Sequence, residues 1–84
     1  MAKKTIDKWI AELSTLRKKG DAHKLLSRAN ICIKAYPNEA AGYHYRGLAN
    51  SDLEKLEEAV EDCNKALELN PNNVGAYNNR GSAK

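Results

Sequence analysis

The chain repeats itself at a fixed interval of 34 residues. "AAGYHYRGLA" (40–49) and "VGAYNNRGSA" (74–83) agree in frame at Tyr43/Tyr77, Arg46/Arg80, Gly47/Gly81 and Ala49/Ala83. "NKALELNPNN" (64–73) places Asn64, Pro71 and Asn72 in frame with Asn30, Pro37 and Asn38, and Trp9 falls in frame with Tyr43. A period of this length constrains the fold more than any composition does. Each unit is one supersecondary piece that cannot bury its apolar face alone, so successive units must stack.

Within one period the pattern is two short helices. Tyr43, Gly47 and Asn50, with Tyr45, Leu48 and Ala49 around them, fit helical spacing. Gly47 is tolerable inside that helix where a second helix approaches closely, which predicts a packing role for it. Leu56, Ala59, Val60, Cys63, Ala66, Leu67 and Leu69 then recur at intervals of three and four, an apolar stripe on an otherwise charged helix. Glu57, Glu58, Glu61 and Asp62 crowd its start, where the helix dipole favours acidic side chains, and "EKLEEAVED" reads as a solvated face. Pro71 ends the helix by disfavouring the α conformation at Asn70, and Asn72 or Asn73 can cap the next helix. Asn-Pro-Asn is therefore repeat punctuation. In the first period Thr5 is the expected cap of a helix over residues 6–18.

Residues 40–73, "AAGYHYRGLANSDLEKLEEAVEDCNKALELNPNN", resemble one full tetratricopeptide repeat. The family's packing positions fall on Tyr43, Gly47, Ala59, Ala66 and Pro71. The chain departs from the pattern at Asn50 and Cys63, where the family has large side chains, and at Glu54, where it has the turn glycine. Residues 6–39 resemble a degenerate copy, with Trp9, Leu13 and Leu16 in the first helix, Gly20 at the turn, Ala29 and Cys32 in the second, and Pro37 closing. Residues 74–84, with Tyr77 and Gly81, match only the first helix of a third copy. The resemblance implies a single all-α domain over residues 1–84, made of antiparallel helix-turn-helix repeats in a short right-handed superhelix. The third copy stops at Lys84, which implies a fragment of a longer array or an open end covered by another chain.

At 84 residues there is little room for both a core and a buried active site. The 42% hydrophobic and 30% charged residues, with five Gly and two Pro, describe a globular, helix-leaning chain. No apolar run approaches the about 18 residues of a membrane span. "MAKKTIDKWI" has a basic start without an apolar core, so nothing points to export or to a membrane. Cys32 and Cys63 lack CxxC or Cys/His spacing and read as reduced core residues of a cytoplasmic protein. Residues 1–36 hold nine Lys/Arg against three acidic residues (+6), and residues 37–84 five against eight (−3).

No nucleophile elbow, P-loop, HExxH or paired-carboxylate constellation occurs, and no cofactor or catalytic residue is expected. Neither His23 nor His44 has an acidic or Cys partner at i+3 or i+4, which disfavours a metal site. His23 is expected to face solvent, and His44 the concave side. Trp9, Tyr43 and Tyr77 at repeat spacing read as interhelical packing, with Tyr45 the exception because Tyr43 already holds that position. Arg46 and Arg80 read as structural links between helices.

The family resemblance implies a concave groove, lined by the first helix of each repeat, that takes a peptide or a partner helix. Its positions would be Asp7, Ile10, Ser14, Arg17 and Lys18 in the first repeat, Ala41, His44, Leu48, Ser51 and Asp52 in the second, and Gly75, Asn78 and Ser82 in the third. One subclass clamps the terminal carboxylate of chaperones through Lys, Asn and Arg. Those places hold Ile10, Ser14, Tyr45, Gly75 and Asn79 here, and only Asn79 offers an equivalent donor, so such a clamp is not expected. The expected function is non-catalytic protein–protein interaction. The alternative is self-assembly, by head-to-tail stacking of the basic first repeat on the acidic end or by exchange of the terminal helix, giving a homo-oligomer through the open C-terminal end. Lys3, Lys4, Lys8, Arg17, Lys18 and Lys19 supply charge for nucleic acid but no groove-entering motif.

Overall fold

A computed structural model describes residues 3–72, and within them the chain forms four helices and no strand. They are α1 (Ile6–Lys19), α2 (Ala22–Ala35), α3 (Ala40–Asp52) and α4 (Leu56–Leu69). Thr5 caps α1, its hydroxyl accepting from the Lys8 amide at 3.3 Å, and Asp21 caps α2 through the Lys24 amide at 3.1 Å. The third-copy residues Asn78, Tyr77, Gly81, Gly75 and Ser82, with the open C-terminal end, lie outside the described residues.

The two repeats make the same turn from unlike residues. The Gly20 N–H donates to the Arg17 carbonyl at 3.1 Å and the Asp21 N–H to Leu16 at 3.4 Å. In frame, Glu54 donates to Ser51 at 3.0 Å and Lys55 to Asn50 at 2.8 Å. Gly20 has φ +76° and Glu54 φ +61°, both left-handed. Glu54 thus takes the glycine's conformation despite its Cβ, because closing α3 onto α4 needs these two bonds.

Trp9, Leu13, Leu16, Leu25, Ala29, Cys32 and Ala49 form one buried cluster, with Ile6, Leu26, Tyr36 and Tyr45 packed against it. Ala66 and Leu67 form a second, against Ala40 and Tyr43. Ala59 and Cys63 are also fully buried, and Cys32 and Cys63 form no disulfide with each other. Burial raises the Cys32 pKa, keeping the thiol protonated. Pro71 is exposed just beyond α4.

Gly47 is buried, and a second glycine of α3, Gly42, meets a neighbouring helix closely. A Cβ on Gly42 would stand 2.7 Å from Ile33 Cγ1 and 3.4 Å from Cys32 Sγ, so α3 meets α2 there. Three expectations need correction. Leu56 is 47% exposed and outside the core, because it sits at the first residue of α4, before that helix is covered. Asp62 is buried, since it serves as the counterion of Arg46 instead of joining a solvated face. Tyr45 packs on the first repeat's core, so both tyrosines of α3 are packing residues, one for each neighbouring cluster.

Contacts run α1 to α2, α2 to α3 and α3 to α4, and α1 also touches α3. Among the described residues α2 and α4 do not touch. Helices one and three are therefore drawn together while two and four splay apart. That difference bends the layer and puts α1 and α3 on its inner face.

Candidate functional site

Two ion pairs, one per repeat, fix the inner helices. Arg46 of α3 and Asp62 of α4 stand 34 residues after Glu12 of α1 and Arg28 of α2, so the two pairs occupy equivalent places with the charges exchanged. Asp62 accepts from Arg46 Nε at 3.0 Å and Nη2 at 2.6 Å, and from Asn50 Nδ2 at 2.8 Å. The polar Asn50 thus finds its partner inside the core, which is why it can replace a large apolar side chain. Arg46 Nη1 also donates to Asn30 on α2 at 3.1 Å, tying the second repeat to the first. Asp62 raises the Arg46 pKa, locking its charge.

In the first repeat Glu12 accepts from Arg28 Nε at 2.5 Å and pairs with Lys4. The Arg28 bond, joined by Lys4, outweighs desolvation and holds the Glu12 carboxyl down at about 2. Glu12 in turn raises the Arg28 pKa. Lys4 and Arg28 also lie 4.2 and 4.9 Å from the Trp9 ring centre.

With the inner helices set, a groove of ≈ 720 Å³ opens between them and the end of α4. Ile10 of α1, Ala41, His44 and Tyr45 of α3, and Leu69 of α4 give it an apolar floor, and Asn38, Asn70 and Asn72 place amides at one end. Ile10 is 36% exposed, an aliphatic side chain left partly open on the inner face. His44 meets Tyr45 edge-on, ring centres 5.0 Å apart at 70°. His44 Nδ1 is buried and finds no hydrogen-bond partner among the described residues. Burial, with the positive charge of Arg17 second, lowers the His44 pKa and favours the neutral ring.

Of the sequence-predicted groove residues, Ile10, Ala41 and His44 come together in this lining. Arg17 and Asp52 form an ion pair at 3.2 Å that bridges α1 and α3. Ser14, Leu48 and Ser51 are half-buried, and Asp7 and Lys18 exposed, without reaching the lining. His23 is exposed, as expected. Sequence reasoning missed Asn38, Asn70 and Asn72 as lining residues, although they are the same punctuation asparagines that marked the period. Among the described residues, no group of three or more His, Cys, Asp or Glu could hold a metal ion, and no helix is long and apolar enough to cross a membrane.

Antiparallel helix pairs in 34-residue register, with the first helix of each pair on the inner face, define an α-helical repeat protein. The tetratricopeptide repeat model matches residues 40–73. The chain belongs to the tetratricopeptide-repeat family. It is 44% identical over 63 residues to heat shock protein STI1 of Saccharomyces cerevisiae, covering 75% of this chain and 10% of that protein. It thus spans about a tenth of that relative's length. The complex of the TPR2AB domain of yeast Sti1 with pHSP90 superposes with a TM-score of 0.83 at 34% identity, over 92% of this chain and 30% of that one. The first TPR of Spaghetti (RPAP3) bound to the HSP90 peptide SRMEEVD gives 0.84 at 28% identity, over 94% of this chain and 63% of that one.

Proposed function

We propose that the chain is a non-catalytic protein–protein interaction module that takes an extended peptide segment of a partner in the groove between α1 and α3. The observation that carries this reading is the inner face itself, where Ile10, Ala41, His44 and Tyr45 stand side by side on a packed scaffold. A rigid floor with a few polar groups at its rim binds by shape and apolar anchoring. The similar solved structures hold HSP90 or its peptide, which supports a peptide ligand for this groove.

The chemistry of the lining narrows the ligand. Glu39 is its charged member among the described residues, and Arg17 nearby is neutralised by Asp52. The favoured ligand is a neutral segment with an aliphatic or aromatic anchor between Ile10 and His44, its backbone met by the three asparagine amides. An acidic, carboxylate-terminated peptide such as SRMEEVD is the poorer match. The module works in the cytoplasm, where its two buried thiols stay reduced.

Selection from a phage-displayed random peptide library, followed by fluorescence anisotropy, tests this. Selected peptides should carry an apolar anchor, bind more tightly than SRMEEVD, and lose at least tenfold in affinity on Ala41→Arg. Peptides that bind the Ala41→Arg chain as tightly as the parent chain would remove the groove from the function.

A further inference from the structure

A second surface emerges when the two repeats are compared position by position. Ala11, Thr15 and Lys19 of α1 stand in frame with Tyr45, Ala49 and Leu53 of α3. On α3 that stripe is covered by the first repeat. Ala49 is fully enclosed in the first repeat's core, Tyr45 packs against it, and Leu53 is half-buried. On α1 the same three positions are exposed. The place that α2 occupies beside α3 is thus open beside α1.

Between this stripe and α2 lies a cleft of ≈ 610 Å³, completed by Glu12, Leu16, Lys24 and Arg28. Its acidic member, Glu12, is already held by Arg28 and Lys4. Lys19 and Lys24 join no ion pair among the described residues. In the second repeat the places of Lys24 and Arg28 hold Glu58 and Asp62, so the first repeat presents the opposite sign at this edge.

We propose that this lateral cleft docks an acidic amphipathic helix of a partner protein, lying across α1 as α2 lies across α3. The occupant is a helix because the covered copy of this surface within the same chain is covered by one. It is acidic because Lys19 and Lys24 are the free charges at the edge. Its apolar contacts are narrow, limited to Ala11 and Leu16, so charge carries much of the recognition and salt weakens it over the ~8 Å screening distance of physiological buffer. None of these residues lines the groove between α1 and α3, so the two surfaces can be tested apart.

The chain itself supplies matched probes: a synthetic peptide of residues 55–70, acidic, and one of residues 21–36, basic, both carrying the apolar stripe of a second helix. Each is titrated into the ¹⁵N-labelled full chain in reducing buffer at low salt. The acidic peptide is expected to shift the amides of Ala11, Thr15, Lys19 and Lys24 and to lose at least tenfold in affinity for the Lys19→Glu/Lys24→Glu chain. Ala41→Arg should leave its binding unchanged. These lysines are exposed, so the double variant keeps the helical circular dichroism of the parent. Equal binding of the basic peptide, shifts confined to α3 and α4, or full affinity of the double variant would each overturn the proposal. Concentration-dependent shifts of the same α1 amides without peptide would assign the cleft to a second copy and overturn it as well.

Discussion

The exchanged ion pairs offer a comparison within one chain, since their places in the repeat and their sequence separation match while burial differs. Asp62 keeps 7% of its side chain exposed and Arg46 29%, whereas Glu12, Lys4 and Arg28 keep 29%, 32% and 34%. Asp62→Asn preserves volume and removes the charge that Arg46 and Asn50 both address. Breaking a fully buried pair costs about 3–5 kcal/mol because one charge is left uncompensated. Water can still reach the Arg46 side chain, so the expected loss is about 2–3 kcal/mol. Glu12→Gln faces partners that are all about a third exposed, and such pairs contribute about 1 kcal/mol or less. Thermal denaturation followed by circular dichroism reads both. At about 4–8 °C per kcal/mol for a domain of this size, Asp62→Asn should lower Tm by roughly 10–20 °C and Glu12→Gln by roughly 5 °C. In 1 M salt the Glu12→Gln difference should shrink further while the Asp62→Asn difference persists. Equal losses, or a greater loss at Glu12, would refute the claim that burial rather than pair geometry sets these energies.

Glu54→Gly should stabilise the chain by about 0.5–1 kcal/mol, because it relieves a left-handed residue of its Cβ, while Gly20→Ala at the equivalent turn should cost about 1 kcal/mol; denaturant midpoints compare the two. Gly42→Ala should cost about 1–2 kcal/mol by pressing a methyl on Ile33 Cγ1, and Gly42→Ala combined with Ile33→Val should recover part of that loss. Glu12, depressed from 4.5 to about 2 when folded, contributes stability above pH 4.5 that fades as pH falls toward 2, and Glu12→Gln should flatten that limb of an acid titration. The folded His44 pKa lies below its ordinary 6.5, so the unfolded chain binds the proton more readily and stability falls as pH drops through 6.5; His44→Gln should abolish this slope.

The architecture was legible because a solenoid writes its geometry into a period. Ala59, Cys63 and Ala66 are buried on the stripe that helical spacing marked, Trp9, Leu13, Leu16, Ala29 and Cys32 are buried at positions that the family resemblance implied, and Arg46 links helices as its recurrence suggested. What escaped was whatever depends on how two helices meet. The period marks Gly47, which recurs at Gly81, and passes over Gly42; only the crossing of α2 and α3 shows that Gly42 faces Ile33. Asp62 sat in an acidic run whose other members face water, and nothing in that run reveals that Arg46 and Asn50 would reach across from α3. The exchange of charge between Glu12/Arg28 and Arg46/Asp62 is visible in the aligned repeats, yet it acquires meaning only once both pairs are seen to close. In the groove, Ile10, Ala41 and His44 are positions that the family resemblance implied. The asparagines joined them because the two connecting turns converge on one end of the inner face, a long-range arrangement that local pattern does not encode.

The most direct test of the central claim is amide chemical-shift mapping of the tightest library-selected peptide on the ¹⁵N-labelled chain. A peptide lying between the inner helices predicts the largest shifts at Ile10, Ala41, His44 and Tyr45, with the exposed outer faces of α2 and α4 unmoved. Shifts concentrated on those outer faces, with Ile10 and His44 unchanged at saturation, would contradict a binding function seated in the groove.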